Sequence, residues 1–341
     1  MGLKKGKIRT KSPSNIALIK YWGKCGEQIP ANTSLSFTLS NSLTETELSF
    51  IEKPADGFGF KFFFHGQHKP DFEPRIAVFF QRIAAHIPFL KDYHFEIHSY
   101  NTFPHSSGMA SSASGMSALA LALVQLERGL GGDLGDFAAA RKASLLARLG
   151  SGSACRSIYK GLVVWGHTSV IPGSSDEYAI PYPHEVHPVF RGFQDTILLI
   201  HRGQKSVAST IGHRSMQGHP YAKPRFKQAE KNLESLIPVL KSGDLEAFGR
   251  LVEHEALSLH AMMMTAAPAY LLMLPNTVAV LQAVWDYRKQ TRHPLYFTLD
   301  AGANVHLLYP KTHRQPILDF IDGELLRYCQ GGRYITDRAA Y

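Results

Sequence analysis

Apolar and polar positions alternate along much of the first half of the chain, a pattern that is typical of β-strands with one buried face. The alternation is clearest over residues 34–39 and 44–51, which we predict to be two separate strands. Similar apolar segments predict further strands at residues 14–20, 58–65, 93–99, 161–165, 178–180 and 195–201. Residues 72–86 differ, because their apolar side chains recur every three or four positions and therefore predict a helix.

The predicted helix at residues 112–128 is apolar on nearly every side, so we expect it to be buried. Glycines within residues 129–135 end this helix, and residues 136–149 predict a second one before a Ser/Gly turn at 150–157. Later helical patterns lie at residues 222–240, 244–260, 276–288 and 315–327, with Asn276 as the expected cap of the third. Residues 295–300 and 305–309 predict two strands joined by a tight turn around Gly302.

This distribution of elements predicts an α+β fold. Strands dominate the first half of the chain and helices the second, which favours two lobes with a cleft between them. We place the boundary near residue 190, so that residues 1–190 form one lobe and residues 191–341 the other.

The charge balance narrows the classes of ligand. The 341 residues include 37 Lys and Arg against 28 Asp and Glu, a formal net charge of +9. Such a surplus is compatible with nucleic acid, a membrane surface or a small polyanion. The basic residues are dispersed beyond position 11, and no apolar run is long enough to span a bilayer. We therefore predict a small anionic substrate, with neither a nucleic-acid partner nor a membrane partner.

The cysteines and histidines predict no metal site on the protein itself. Cys25, Cys155 and Cys329 are scattered and form neither a disulfide framework nor a metal-binding spacing, which is typical of a protein of the reducing cytoplasm. The 17 histidines include no H-E-x-x-H pattern and no cluster with cysteine.

Residues 101–115, NTFPHSSGMASSASG, carry the strongest chemical signal in the chain. Small residues let backbone N–H groups approach an anion, and the N-terminus of the following helix would favour phosphate. Ser111 or Ser112 can cap that helix, and the alternative interpretation is a serine-rich cap without a ligand. The common G-x-x-x-x-G-K-[ST] phosphate loop is absent from the sequence.

Residues 104–113 resemble the ATP phosphate-binding motif of the GHMP kinase superfamily. Four motifs together, in the same order, resemble the diphosphomevalonate decarboxylases of that superfamily: SPSNIALIKYWGK (12–24), the loop at 104–113, GSGSACRS (150–157) and TLDAGANV (298–305). The resemblance spans about residues 8–310 and implies a two-lobed GHMP kinase-like fold, with the active site in the cleft and ATP bound by the first lobe.

The resemblance also implies an activity. In that family ATP phosphorylates the tertiary 3-hydroxyl of mevalonate 5-diphosphate, and loss of phosphate and CO₂ then gives isopentenyl diphosphate for isoprenoid synthesis. It implies Mg²⁺ that arrives with ATP, since magnesium prefers phosphate oxygens and water, and it implies a homodimer.

Three positions match the family's catalytic residues. A tertiary alcohol is a poor nucleophile, so phosphoryl transfer needs a positioned base and dense positive charge. Asp300 matches the catalytic aspartate, Lys20 the lysine beside it, and Ser209 a residue near the transferred phosphoryl group. Without the family, Asp300 can be an ordinary turn aspartate and Lys20 a solvated strand end.

The resemblance extends to two sets of binding residues. The substrate positions offer hydroxyl, backbone and cationic donors suited to phosphate oxygens, although Arg156 taken alone can be a surface cation. They are Tyr21, Lys24, Ser151, Gly152, Ser153, Arg156 and Thr210. The ATP positions are Pro104, Ser106, Ser107, Gly108, Met109, Ala110, Ser111 and Ser112.

Three positions depart from the family pattern. Cys25 stands where arginine is usual, Ala303 replaces a proline, and His213 replaces a methionine. The loop after Cys25 is also shorter, which bears on the preference for a diphosphate over a monophosphate. The alternatives that stay open are a phosphomevalonate decarboxylase, a mevalonate 3-hydroxyl kinase, and a catalytically silent protein that binds nucleotide or nucleic acid.

Overall fold

The computed structural model describes residues 4–53, 59–104, 109–203 and 209–340, apart from the side chains of Ser209 and Thr210. The strands are β1 (Lys5–Ile19), β2 (Lys24–Cys25), β3 (Ile29–Pro30), β4 (Ser34–Glu52), β5 (Gly59–Phe64), β6 (Gln67–His68), β7 (Tyr93–Asn101), β8 (Leu162–Trp165), β9 (Ile180–Pro181), β10 (Gln194–Leu198), β11 (Tyr296–Leu299), β12 (Val305–Tyr309) and β13 (Tyr334–Arg338). The helices are α1 (Glu73–Ile83), α2 (Ser111–Gly129), α3 (Asp136–Gly150), α4 (Ser209–Arg214), α5 (Ala222–Ser242), α6 (Leu245–Met264), α7 (Pro275–Thr291) and α8 (Arg314–Phe320).

A seven-stranded sheet occupies the first half of the chain. Its order is β6-β5-β7-β4-β8-β9, with β1 also paired to β4, and every pairing is antiparallel except that of β5 with β7. The long strand β4 is central, because β1 pairs along most of its length while β8 and β7 pair with its first and last parts. Helices α1, α2 and α3 pack their apolar sides together with this sheet to form one hydrophobic core.

A four-stranded antiparallel sheet, with the order β11-β12-β10-β13, lies in the second half. It carries its own core with α7 and α8. Another core joins the halves, because Leu18 and Phe37 of the first sheet cluster with Leu233 of α5 and Phe248 of α6. The ends of β1 and β11 therefore lie where the two halves meet. The lobe boundary near residue 190 stays a prediction.

The structure corrects several predicted elements. The two strands predicted at 34–39 and 44–51 are one strand, β4, because Asp337 accepts hydrogen bonds from the backbone N–H groups of Ser40, Asn41 and Ser42 and so satisfies the polar segment between them. The predicted turn at 150–157 is largely a 3₁₀-helix, Gly152–Ile158. The strand predicted at 195–201 ends at Leu198.

Two helix ends also differ from prediction. Asn276 does not cap α7, since the helix begins at Pro275 and the Asn276 amide donates to the carbonyl of Tyr328. Proline at the first helical position needs no hydrogen bond for its nitrogen. The helix predicted at 315–327 ends at Phe320 and continues as a π-turn, Ile321–Leu325. Of the helices that the structure describes, none is long and apolar enough to cross a membrane.

Candidate active site

The site begins at the point where β1 ends. Lys20 follows the last strand residue and is only 2% exposed, and its ammonium donates a hydrogen bond of 2.7 Å to the carbonyl of Ala17. The same Nζ lies 3.7 Å from Oδ1 of Asp300, whose side chain is 31% exposed. The alternative that Lys20 is a solvated strand end is wrong. The structure brings the two predicted catalytic residues together from opposite halves of the chain.

Asp300 directly follows β11, in the turn that leads to β12. Its backbone carbonyl accepts a hydrogen bond of 2.7 Å from the N–H of Gly302 and lies 3.1 Å from Nε2 of His260 on α6. The turn is therefore held from two sides, and the carboxylate is partly exposed beside Lys20.

Burial and neighbouring charges compete at Lys20. Removal from water lowers the pKa of its ammonium from the ordinary value to about 8, while Asp300, Glu255 and Asp195 act to raise it and Arg156 acts to lower it. The pKa of Lys20 is thus much closer to neutral pH than that of an ordinary lysine.

Arg156 is a buried cation that has no carboxylate partner among the described residues. It is 4% exposed, and its guanidinium donates to Oδ1 of Asn15 at 3.3 Å and to Oγ of Ser34 at 2.6 Å. No salt bridge to Arg156 is found among the described residues. The alternative that it is a surface cation is wrong. Because an unpaired buried charge is costly, this arrangement favours an anionic ligand.

Tyr21 and Gly152 form the wall beside Arg156. The Tyr21 hydroxyl is buried and has no hydrogen-bond partner in the described part of the chain. A side chain at Gly152 would begin 2.8 Å from that hydroxyl and 2.8 Å from the ring of Trp165, so only glycine fits there. Ser151 and Ser153, on either side of Gly152, are partly exposed. This wall leaves a phenol donor free for a ligand.

Lys24 lies on the small hairpin formed by β2 and β3, where its ammonium donates to Oε1 of Gln28. Burial is the main cause that lowers the pKa of Lys24 to about 8, and repulsion from Arg82 and Arg214 acts in the same direction. Lys24 therefore lies among other cations, Arg82 and Arg214, which disfavour its charged form. A bound polyanion would relieve this repulsion.

The sequence did not reveal the residues that anchor this hairpin. Arg148, at the end of α3, donates to the carbonyls of Glu27 and Glu177 at 2.8 and 2.7 Å. Arg82, at the end of α1, pairs with the carboxylate of Glu27 at 2.9 Å. Both arginines lie near the ends of predicted helices, and no local pattern links them to the hairpin.

The predicted ATP loop is only partly described. Pro104, Met109, Ala110, Ser111 and Ser112 are described, whereas the predictions for Ser106, Ser107 and Gly108 fall outside the described residues.

The cap predicted at Ser111 or Ser112 is wrong. Helix α2 begins at Ser111 without a side-chain cap, since Ala110 takes a left-handed conformation with φ of 48° and its carbonyl accepts from the N–H groups of Ala113 and Ser114. The uncapped first turn of this 19-residue helix, in which Ser112 is exposed, fits a phosphate group.

Helix α4 lies over the end of β1. It begins at Ser209, and the predictions for the side chains of Ser209 and Thr210 fall outside the described structure. His213 docks this helix, because its Nδ1 accepts a hydrogen bond of 3.0 Å from the N–H of Gly23. Its ring also packs on those of Tyr21 and Trp22, with centroids 4.3 and 4.6 Å apart. Its role was not apparent from the sequence, although its departure from the family pattern was a signal.

The described residues offer no group of three or more His, Cys, Asp or Glu side chains that could hold a metal ion.

Two family models match the chain. The model described as "Diphosphomevalonate decarboxylase-like N-terminal domain" matches residues 12–179. The model described as "Mevalonate 5-diphosphate decarboxylase C-terminal domain" matches residues 196–336. Among curated proteins, the diphosphomevalonate decarboxylase of Gibberella zeae is 30% identical over 342 residues, which cover 94% of this chain and 85% of that protein.

Solved structures are similar over nearly the whole chain. One, described as MDDEF in complex with MVAPP, AMPPCP and magnesium, has a TM-score of 0.83 and 29% identity, covering 98% of this chain and 97% of that one. The mevalonate diphosphate decarboxylase from Staphylococcus aureus has a TM-score of 0.83 and 29% identity, covering 99% and 96%. These similarities confirm the predicted α+β fold of the GHMP kinase type.

Proposed function

Because this chain belongs to the diphosphomevalonate decarboxylase family, we propose that the site at the ends of β1 and β11 carries out that family's reaction. The reaction is the ATP-dependent decarboxylation of mevalonate 5-diphosphate to isopentenyl diphosphate, ADP, phosphate and CO₂. The family and the activity predicted from the sequence are confirmed, as is the use of ATP and Mg²⁺. The observation that carries the proposal for these residues is Asp300 at 3.7 Å from the buried ammonium of Lys20.

Asp300 acts as the general base in this proposal. Its carboxylate accepts the proton of the substrate's 3-hydroxyl as the oxygen attacks phosphorus, and it is exposed enough to meet that hydroxyl. Lys20 lies beside Asp300 and offsets the negative charge that develops at the reacting oxygens. Mg-ATP, when bound, supplies the phosphoryl group. Ser209, at the start of α4, is proposed to orient that group.

A cationic pocket holds the substrate diphosphate in this proposal. Arg156 supplies a planar fork of donors, Tyr21 a hydroxyl without a partner among the described residues, and Lys24 an ammonium, and these suit several phosphate oxygens at once. Ser151, Gly152, Ser153 and Thr210 complete the proposed set. Because Arg82 and Arg214 lie near Lys24 and Arg156 lies near Lys20, a diphosphate is favoured over a monophosphate.

The proposed ATP site is the loop that leads into α2. The residues are Pro104, Ser106, Ser107, Gly108, Met109, Ala110, Ser111 and Ser112. The uncapped first turn of α2 supports phosphate binding there, and Mg²⁺ would be held mainly by the ATP phosphates.

One assay tests the function and its alternatives together. Release of ADP, phosphate and CO₂ is measured with mevalonate 5-phosphate and mevalonate 5-diphosphate side by side. We expect all three products in equal amounts with the diphosphate and much slower turnover with the monophosphate. Faster turnover of the monophosphate, or ADP without CO₂, would identify the phosphomevalonate decarboxylase or the 3-hydroxyl kinase instead. No ADP with either substrate is the result that a catalytically silent protein predicts.

We further propose a cytoplasmic homodimer whose chain divides at about residue 190 into lobes 1–190 and 191–341. The family resemblance supports the dimer, and the membership of the sheets supports the division, since β1 to β9 build the first sheet and the small hairpin while β10 to β13 build the second. Sedimentation velocity measures the oligomeric state, and limited proteolysis near residue 190 tests the boundary.

A further inference from the structure

A buried carboxylate from the second half of the chain holds the backbone of Lys20. Because Lys20 lies just past the end of β1, its backbone groups are no longer bonded within the sheet. Its N–H instead donates a hydrogen bond of 2.8 Å to Oε2 of Glu255 on α6, and its carbonyl accepts one of 2.9 Å from Asn32. Glu255 is fully buried.

Glu255 is in turn fixed by helix α5. Arg225 donates to both of its carboxylate oxygens, at 3.0 and 2.6 Å, and Asn232 donates to Oε1 at 2.6 Å. With the N–H of Lys20 this makes four hydrogen bonds to one carboxylate. Such a network has little freedom to shift, because breaking any contact leaves a buried charge less well compensated.

Helix α6, which carries Glu255, also holds Asp300, the other residue of the proposed catalytic pair. His260 of α6 lies 3.1 Å from the backbone carbonyl of Asp300, five residues after Glu255 along the helix. We infer that α6 is the positioning element of the active site, with Glu255 fixing Lys20 and His260 fixing Asp300, so that one rigid helix sets the distance between the two. This inference rests on the roles proposed above for Lys20 and Asp300.

Glu255 also contributes charge. The groups that face Lys20 are the carboxylates of Asp300, Glu255 and Asp195 and the guanidinium of Arg156. Behind them, Arg225 pairs with Glu255, and His306 contacts Asp195 at 2.9 Å. Removal of the Glu255 charge should therefore lower the pKa of Lys20 below its value of about 8.

The test compares two buried glutamates of α6. Glu255→Gln keeps the side-chain shape and an acceptor for the Lys20 N–H but removes the charge. Glu253→Gln is the matched control, since Glu253 is also buried and paired, with Arg288 at 2.6 Å and Trp285 at 2.9 Å, but does not contact Lys20. Both variants should lose stability. Only Glu255→Gln should lose turnover, by about tenfold to a hundredfold, which is typical of displaced reacting groups.

The pH dependence separates positioning from a general loss of structure. In Glu255→Gln the alkaline limb of turnover should move to lower pH, whereas in Glu253→Gln it should stay in place. If Glu255→Gln does not fold, Arg225→Lys carries the test: it keeps the charge but loses the two-pronged contact, so turnover should fall with the alkaline limb unmoved.

The inference is overturned if Glu255→Gln, or Arg225→Lys in its place, matches Glu253→Gln in turnover and pH profile while Asp300→Asn is inactive. Wild-type turnover in Asp300→Asn would instead remove the proposed base, and with it the pair that α6 positions.

Discussion

Single residues at the site are held in states that are unfavourable without a ligand. In the part of the chain that the structure describes, the buried cation Arg156 donates to neutral partners alone and the Tyr21 hydroxyl has no partner. Lys20 and Lys24 both have lowered pKa values. A folded protein normally avoids each of these states. We propose that an anion bound by these residues together accounts for their combination in one place.

Asp300→Asn tests whether Asp300 is the general base, because it replaces one carboxylate oxygen with an amide nitrogen. The amide keeps the size of the side chain but cannot accept the hydroxyl proton, so turnover should fall about 10²–10⁴-fold while substrate dissociation constants shift far less. ADP and CO₂ should fall together in rapid-quench experiments, because phosphoryl transfer precedes decarboxylation in the family's reaction. ADP release without CO₂ would move the role of Asp300 to the second step. Chemical denaturation of the same preparation controls for folding.

The two lysines predict an unusual pH profile. Both have a pKa of about 8 in the free protein, and both are useful only when protonated. The bound diphosphate should raise the pKa of Lys24 but have less effect on Lys20, which lies beside Asp300. Above pH 8, kcat/KM should therefore fall with a slope approaching two on a logarithmic plot, and kcat with a slope near one.

Lys24→Arg checks this assignment, because arginine keeps its proton throughout the measured range. In that variant the slope of kcat/KM should drop to one and the profile of kcat should keep its shape. A kcat/KM that stays flat well above pH 9 in the wild type would contradict the lowered pKa values of both lysines.

At the scale of elements, the site depends on helix α4 lying close to the end of β1. Gly212 makes this approach possible, because a side chain there would begin 2.5 Å from the Trp22 ring and 2.8 Å from the Tyr270 hydroxyl. His213 adds the hydrogen bond to Gly23. Ser209 and Thr210, one turn earlier, thus owe their placement to contacts made at Gly212 and His213.

Gly212→Ala should push α4 away from β1. We expect turnover to fall by about tenfold or more, because the reacting groups are displaced. The free energy of unfolding should fall by about 1–3 kcal/mol, because the added methyl group overpacks the contact. Gly323→Ala is the matched control, since a side chain at Gly323 meets nothing within 4 Å. Combining Gly212→Ala with Trp22→Phe should restore part of the activity, because the smaller ring makes room. Wild-type turnover in Gly212→Ala would show that the position of α4 does not matter.

Local elements were largely predictable from the sequence, and contacts between them were not. Periodicity located β7, α2, α3 and the β11–β12 pair, because each has a long, regular pattern. It missed β13, whose alternation is weak, and it divided β4 at a polar segment that Asp337 satisfies from the far end of the chain. The proposed site residues came from motifs. The roles of Glu255, Arg148 and His213 could not be predicted from motifs, because they arise from contacts between distant segments.

At the scale of the whole molecule, the two halves share one polar site. Lys20 and Arg156 come from the first half, and Asp300, Glu255 and Asp195 come from the second. Ligands that bind across this junction should stabilise both halves, by about 2.7 kcal/mol at a hundredfold excess over the dissociation constant. The net charge of +9 adds a general attraction for anionic substrates that salt would weaken.

The same substitution at two buried arginines should have different effects on the melting temperature. Arg148 donates to two backbone carbonyls and joins three segments, so Arg148→Met should lower the melting temperature of the ligand-free protein. Arg156 has no carboxylate partner among the described residues, so Arg156→Met removes a desolvated charge at the loss of two side-chain contacts. Replacing buried charge with an apolar side chain is often neutral or stabilising, and we expect the melting temperature of Arg156→Met to match or exceed that of the wild type.

Ligand-induced stabilisation completes this comparison. Arg156→Met should lose about 1.5–3 kcal/mol of binding energy for mevalonate 5-diphosphate, and with it most of the rise in melting temperature that this ligand causes. The rise caused by Mg-ATP should remain, because the loop before α2 does not include Arg156. Thermal unfolding with each ligand separately measures both effects on one preparation. If the substrate stabilises Arg156→Met as strongly as the wild type, then the buried guanidinium serves the fold rather than the diphosphate.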